Sequence, residues 1–323
     1  MNTENRKNQF RGSLLLLLTA MIWGFGFAAQ SKVSEHLGTF SCGFVRFLIA
    51  GLALIPVVVF FDKAGKTGRS LFSRRKSPLT KKELLGGLIC GAALAAASAT
   101  QQAAIGGSGA GKAAFITTLY VVLVPLAGVI LFRRRLSPLL VLSVLLALTG
   151  VGLITVKEGL AFAPSDLLLF LSSLCWCTHI MTVDAVSEGC DGVRISLVQM
   201  LTTSLLNLLL ALIFEDLAWV NVQAALLPLL YLGLGSGALA FTLQILGQKE
   251  CPPAAASIIM STESLFGALG GAIFTGEILT TREYIGCAVV FAAVLLSQST
   301  DAILALRTRL AARKAGKEGG EKN

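Results

Sequence analysis

The sequence predicts an all-α integral membrane protein of ten transmembrane helices, built as two inverted five-helix repeats around a central cavity. Three observations lead there. Of 323 residues, 54% are hydrophobic and 14% charged, against about 25% charged residues in an ordinary soluble domain. The apolar residues gather into runs long enough to cross a bilayer, and the basic residues fall almost entirely on one side of those runs. A soluble surface could not be covered with so few charges. Disorder, collagen and a disulfide scaffold fail on the same composition.

A hydrocarbon core of roughly 30 Å takes about 20 mostly apolar residues per helix. Ten runs qualify: 12–31, 40–61, 83–104, 112–132, 138–156, 165–186, 195–215, 224–247, 253–275 and 282–300. The first follows Arg6, Lys7 and Arg11 and ends in Ala28-Ala29-Gln30, which imitates a secretory signal. Its length, and Trp23, Gly24 and Gly26, make it an uncleaved span. With residues 1–11 inside, cytoplasmic segments hold 22 Lys and Arg and outside segments four, Arg46 lying within a span. This positive-inside bias predicts cytoplasmic N- and C-termini. The net charge of +9 is therefore a topology signal. No basic patch interleaved with aromatics marks a nucleic-acid partner, and the basic tail 301–323 reads as a leaflet-hugging end.

The ten runs divide into halves that superpose. At an offset of 153, Trp23 falls on Trp176 and Arg46 on Gln199. At 142, Gly91 falls on Gly233, Thr100 on Thr242, Gln102 on Gln244 and Phe132 on Phe274. The long loop 62–82 accounts for the change of offset. Five spans per half make the halves enter the membrane in opposite directions, a design that puts a substrate site between them. Gly87 and Gly91, Gly233 and Gly237, and Gly267 and Gly271 have the spacing for close helix approach.

An ionisable group at membrane depth costs several kcal/mol unless it is paired or lines a cavity. Glu263 lies about ten residues into its run, near the midplane, opposite Val121 at the offset of 142. It reads as a proton or cation site, or a partner for a substrate ammonium, with an interhelical bond as the plainer alternative. Arg46, roughly 9 Å from the outer edge, has three readings: snorkelling, pairing with a carboxylate, or holding an anionic substrate. His179 could titrate near neutral pH or serve in packing. Gln101, Gln102, Gln199, Asn207 and Gln244 are cavity donors and acceptors or interhelical glue. Trp23, Tyr120, Trp176 and Tyr231 lie mid-span, away from the interfacial belt.

Other chemistry is poorly supported. Gly106 to Lys112 has a G-x-x-x-x-G-K frame, but Ala113 stands where a magnesium-binding Ser or Thr belongs. The segment reads as a tight outer hairpin; Lys112 is odd there, since a cation at a helix N-terminus opposes the dipole, and a gate or anion-facing charge is the alternative to a plain surface lysine. No H-E-x-x-H pair and no G-x-S-x-G elbow occur. Asp184 with Glu188, and Glu215 with Asp216, read as solvated helix ends. Five of the seven cysteines lie in apolar runs, where a thiol is a small hydrophobe; none is read as a metal ligand. No enzyme, metal or cofactor is expected.

Three stretches carry a resemblance. "FSCGFVRFLIAGLALIP", "AGKAAFITTLYVVLVPLAGVILFRRRLS" and "STESLFGALGGAIFTGEILTTREYIGCAVV" resemble spans two, four and nine of the EamA family in the drug/metabolite transporter superfamily. The last includes Glu263 and a closing Gly276-Glu277, which has no match at Arg133-Arg134 in the first half. The resemblance covers repeats 12–156 and 165–300. It implies ten helices, a central cavity bordered by Trp23, Arg46, Tyr120, Trp176 and Glu263, and secondary transport, often export of amino acids or drugs across a bacterial inner membrane.

The expectation is thus a transporter exporting a small metabolite by alternating access, with the lipid bilayer, its cargo and a coupled proton as partners. An importer and a non-transporting scaffold or sensor are the alternatives. The candidate substrate or ion site is Glu263, Arg46, Trp23, Tyr120, Trp176, His179, Gln102 and Gln244. The oligomeric state is not legible.

Overall fold

A computed structural model describes residues 3–63, 79–108, 110–133, 136–156, 164–216, 218–275 and 280–297. Outside them, or among side chains not described, lie the centre of loop 62–82, the hairpin side chains 106–112, Arg134, Lys157, Gly276-Glu277 and the tail. No strand occurs among the described residues. Among the same residues, eight helices are long and apolar enough to cross a membrane. They are α1 (Thr3–Ser34), α2 (Thr39–Lys63), α3 (Lys81–Ser108), α4 (Ala113–Leu131), α5 (Pro138–Thr155), α6 (Pro164–Ser187), α7 (Gly192–Phe214) and α8 (Leu226–Gln248). Two further helices follow: α9, in the pieces Pro253–Met260 and Glu263–Thr275, and α10, helical over 281–297. The chain is a multi-pass membrane protein.

Side chains set the helix starts. Thr80 and Glu83 form a capping box, with Glu83 N donating to Thr80 Oγ1 at 3.2 Å and Thr80 N to Glu83 Oε2 at 2.9 Å. Thr280 and Glu283 repeat it at 3.3 and 2.7 Å. Ser137 caps α5 ahead of Pro138, and Asp191 caps α7 by accepting from Val193 N and Arg194 N.

Two helices are interrupted at matching places. The α4 chain is helical over Ala110–Thr117 and Tyr120–Phe132, pieces of 8 and 13 residues, and those of α9 have the same lengths. Hydroxyls adjoin both breaks: Thr117 and Thr118 donate to Ala113 O and Ala114 O, Ser261 and Thr262 to Ile258 O and Ile259 O. Ser and Thr that bond the preceding turn compete with the backbone for its carbonyls and bend a helix. The matching pieces stand 143 apart, so Glu263 corresponds to Tyr120, one residue from the Val121 that the apolar pattern suggested. The run predicted as 224–247 is likewise not a plain α-helix: Tyr231–Ala240 is π-helical.

The helices pack most extensively as α3 on α6 and α7, α2 on α7 and α8, and α1 on α8 and α9. Small residues permit this. A Cβ on Gly91 would stand 2.9 Å from Gln199 O and 2.6 Å from Thr202 Cβ of α7. One on Gly233 would stand 3.0 Å from Arg46 O and 2.7 Å from Ile49 Cβ of α2. A buried cluster of Leu16, Tyr120, Val124, Ile180, Ile259 and Met260 joins α1, α4, α6 and α9. A second, with Phe47, Leu94, Met200 and Phe241, joins α2, α3, α7 and α8. Trp23 and Trp176 pack against both clusters and so occupy the middle of the molecule. The seven cysteines are free thiols.

Candidate functional site

Between the two clusters lies a cavity of about 40 Å³, room for only a few waters. Its lining mixes charge, amide and aromatic groups from α1, α2, α3, α4, α6, α8 and α9: Trp23, Phe27, Gln30, Arg46, Gln101, Tyr120, Trp176, Ile180, Ser236, Phe241, Gln244 and Glu263. A larger groove of about 700 Å³, bordered by Lys32, His36, Leu227, Tyr231 and Leu234, is open and mostly apolar. It lacks the converging polar groups of a specific site.

The aromatic wall is built from both halves. Trp23 lies 4.8 Å from Phe241 and 5.9 Å from Trp176, ring centre to ring centre, and Trp176 stacks parallel to Phe241 at 6.1 Å. The indoles are held by hydrogen bonds: Trp23 Nε1 donates to Ser236 O at 3.4 Å and Trp176 Nε1 to Gln101 Oε1 at 2.7 Å. Gln101 Nε2 donates onward to Gln30 Oε1 at 3.3 Å. The π-helical stretch supplies Ser236; such stretches recur at functional sites.

The charged groups are differently held. The Tyr120 hydroxyl donates to Glu263 Oε1 at 3.1 Å. Close by, the Thr118 and Ser264 hydroxyls lie 3.3 Å apart. Arg46 is buried, with its guanidinium carbon 4.5 Å from the centre of the Phe47 ring, and its Nε has no partner. No carboxylate among the described residues pairs with it. Both side-chain ends of Gln244 are buried without a hydrogen bond. Unpaired polar groups in an interior are expensive, and the Arg46 Nε and the Gln244 amide are among the buried polar atoms left without a described partner.

Of the residues singled out from the sequence, Trp23, Arg46, Tyr120, Trp176, Gln244 and Glu263 line this one cavity. Two do not. Gln102 points away, its Nε2 bonded to Gln30 O and Ser34 Oγ at 3.2 Å each, and its neighbour Gln101 takes the lining position. One residue turns a helix by about 100°. His179 stands behind the aromatic wall, edge-on to Trp176 and Phe241, with Nε2 3.2 Å from Gln199 Oε1. Phe27, Gln30, Ile180, Ser236 and Phe241 were missed: four are unremarkable apolar or small residues, and Gln30 lies near a helix end. Among the described residues no group of three or more His, Cys, Asp or Glu could hold a metal ion.

The profile of the EamA-like transporter family matches residues 10–156 and again 163–298. The chain belongs to the EamA-like transporter family. A relative described as an uncharacterized transporter, from Archaeoglobus fulgidus, is 26% identical to this EamA-like chain over 283 residues, spanning 87% of it and 83% of the relative. A solved crystal structure of a protein shares the fold at a TM-score of 0.71 and 18% identity, covering 88% of this chain and 95% of that one. This EamA-like chain is a membrane transporter, and its cavity is the candidate place for cargo.

Proposed function

We propose that the protein is a secondary active transporter that exports a small, amphipathic metabolite across a bacterial inner membrane by alternating access. On this reading ten helices cross the membrane as two inverted repeats, with both termini in the cytoplasm. Two features support the repeat. Gly91 meets Gln199 and Thr202 as Gly233 meets Arg46 and Ile49, each pair related by the offsets 142 and 153. The helices α4 and α9 break at the same place. Broken helices beside a repeat interface are a recurring way to build a transport site.

The observation that carries the reading is the cavity itself: an arginine with no carboxylate partner among the described residues and a carboxyl bound by a phenol line one aromatic chamber. Arg46 suits an anionic group of the cargo and the tryptophans its apolar body. Glu263 suits a cationic group or a proton exchanged for it. An amino acid or a drug-like ion has such a shape. The chamber is too small for either and must widen toward one face at a time.

Untargeted metabolite profiling of medium tests this, with cells carrying the wild type, Glu263→Gln or empty vector. A compound enriched outside with the wild type, and not with Glu263→Gln, is the expected result. A wild-type medium indistinguishable from the vector contradicts export.

A further inference from the structure

Helices α2 and α7 lie side by side, and each is tied to the other at both ends. At the α2–α3 end, Asp62 Oδ1 sits 2.7 Å from Arg194 Nη2, and Glu83 Oε2 is 3.6 Å from Arg194 Nη1. Glu83 also accepts the Asp191 backbone N–H at 3.0 Å. Arg194 and Glu83 are buried, whereas Asp62 is half exposed. At the opposite end, Glu215 accepts Phe40 N and Ser41 N at 2.9 and 2.8 Å, capping α2 from the end of α7. Glu215 is therefore a helix cap and not the solvated end its sequence position suggested.

The two ties are one contact made twice. Asp62 and Glu215 stand 153 apart, as do Ser41 and Arg194, the same offset that relates Trp23 to Trp176. In both, a carboxylate at the C-terminal end of one helix grips the first turn of the other. The chemistry differs: an ion pair between side chains closes the first end, and charge-assisted bonds to backbone N–H groups close the second. Gly38 leaves room for the second grip, since a Cβ there would overlap the Glu215 carboxylate.

We infer that Asp62–Arg194 and Glu215–Ser41 are the two alternating latches of the transport cycle, one holding each mouth of the central cavity shut. This deepens the alternating-access reading above. Opening a mouth separates α2 from α7 at that end only, so the carboxylate there must let go while its counterpart holds. Asp62, Arg194 and Glu215 position helices; they do not touch cargo.

The test needs no cargo and so can succeed or fail independently of the metabolite profile. The full chain with Ser236→Cys in the cavity is labelled with a membrane-impermeant maleimide in right-side-out and inverted vesicles, with the otherwise unmodified chain as blank. Asp62→Asn is expected to raise labelling from the face carrying Asp62 by about fivefold, the population shift a half-exposed ion pair at the strong end of its range holds back. Asp62→Glu should return it to the starting rate. Glu215→Gln and Gly38→Ala, which free or displace the other carboxylate, should raise labelling from the opposite face. Equal increases on both faces, an increase on the wrong face, or none would each overturn the assignment.

Discussion

The Tyr120 hydroxyl donates to Glu263, and the two residues hold the same place in matching helices, each the first residue after the break in its own. The bond therefore joins α4 to α9 across the centre of the molecule. It ties the acidic group of the cavity to a position that the other half fills with a phenol.

Tyr120→Phe removes that donor and keeps the ring. The expected result is a stability loss of about 1 kcal/mol, the usual net worth of one hydrogen bond, and a larger proportional loss of export. Thermal unfolding in detergent beside the metabolite profile separates the two. A variant that unfolds early but exports normally would reduce the bond to a structural role.

Gln244 is buried with both amide ends unpaired among the described residues. Gln244→Met, similar in length and apolar, should leave stability unchanged or raise it by up to ~1 kcal/mol, because two desolvated groups lose their penalty. Export should fall. Improved stability at the cost of activity is the signature of a functional polar group; a destabilised Gln244→Met would show that the amide has a partner in the fold.

Among the described residues Arg46 has no counter-ion to strand. Breaking a buried ion pair is costly because it leaves an uncompensated charge, and Arg46→Met leaves none. Its unfolding temperature should match or exceed the wild type while export is lost. A fall of many degrees would point to an ion pair formed in the folded protein.

Gly24 is where α1 meets α9. A Cβ there would stand 2.5 Å from Glu263 O and 2.8 Å from Gly267 N, backbone atoms that cannot swing aside. Gly24→Ala should cost about 1–3 kcal/mol, the range for overpacking, and move Glu263 within the cavity. Unfolding temperature is the direct readout, and an unchanged value would mean the helices separate freely at this point.

Much of this was legible in the residues. Apolar runs mark the spans because a bilayer demands them, and rare residues mark the repeat: Trp23 and Trp176, paired on paper at an offset of 153, meet in the cavity wall. What was not legible has physical causes. The breaks at Thr118-Leu119 and Ser261-Thr262 carry no Gly or Pro, only residues common in membrane helices, and the matching pieces stand 143 apart where the rare residues had suggested 142, which hid the pairing of Glu263 with Tyr120. Gln101 and Gln102 differ by a single helical step, which hydropathy does not resolve. Ser236 and Phe241 reach the cavity from or just beyond a π-helical stretch, where the 3.6-residue period does not apply. Glu215 looked like a solvated end because its partners are backbone N–H groups, which have no letter in the sequence.

The most direct test of the central claim is pH-dependent uptake into inverted vesicles, measured for the compound that profiling identifies. The wild type is expected to accumulate it when the vesicle interior is made acidic and to lose accumulation when the gradient is collapsed. Glu263→Gln, unable to release a proton, should be indifferent to the gradient. Equal gradient-driven accumulation by both proteins would contradict a coupling role for Glu263.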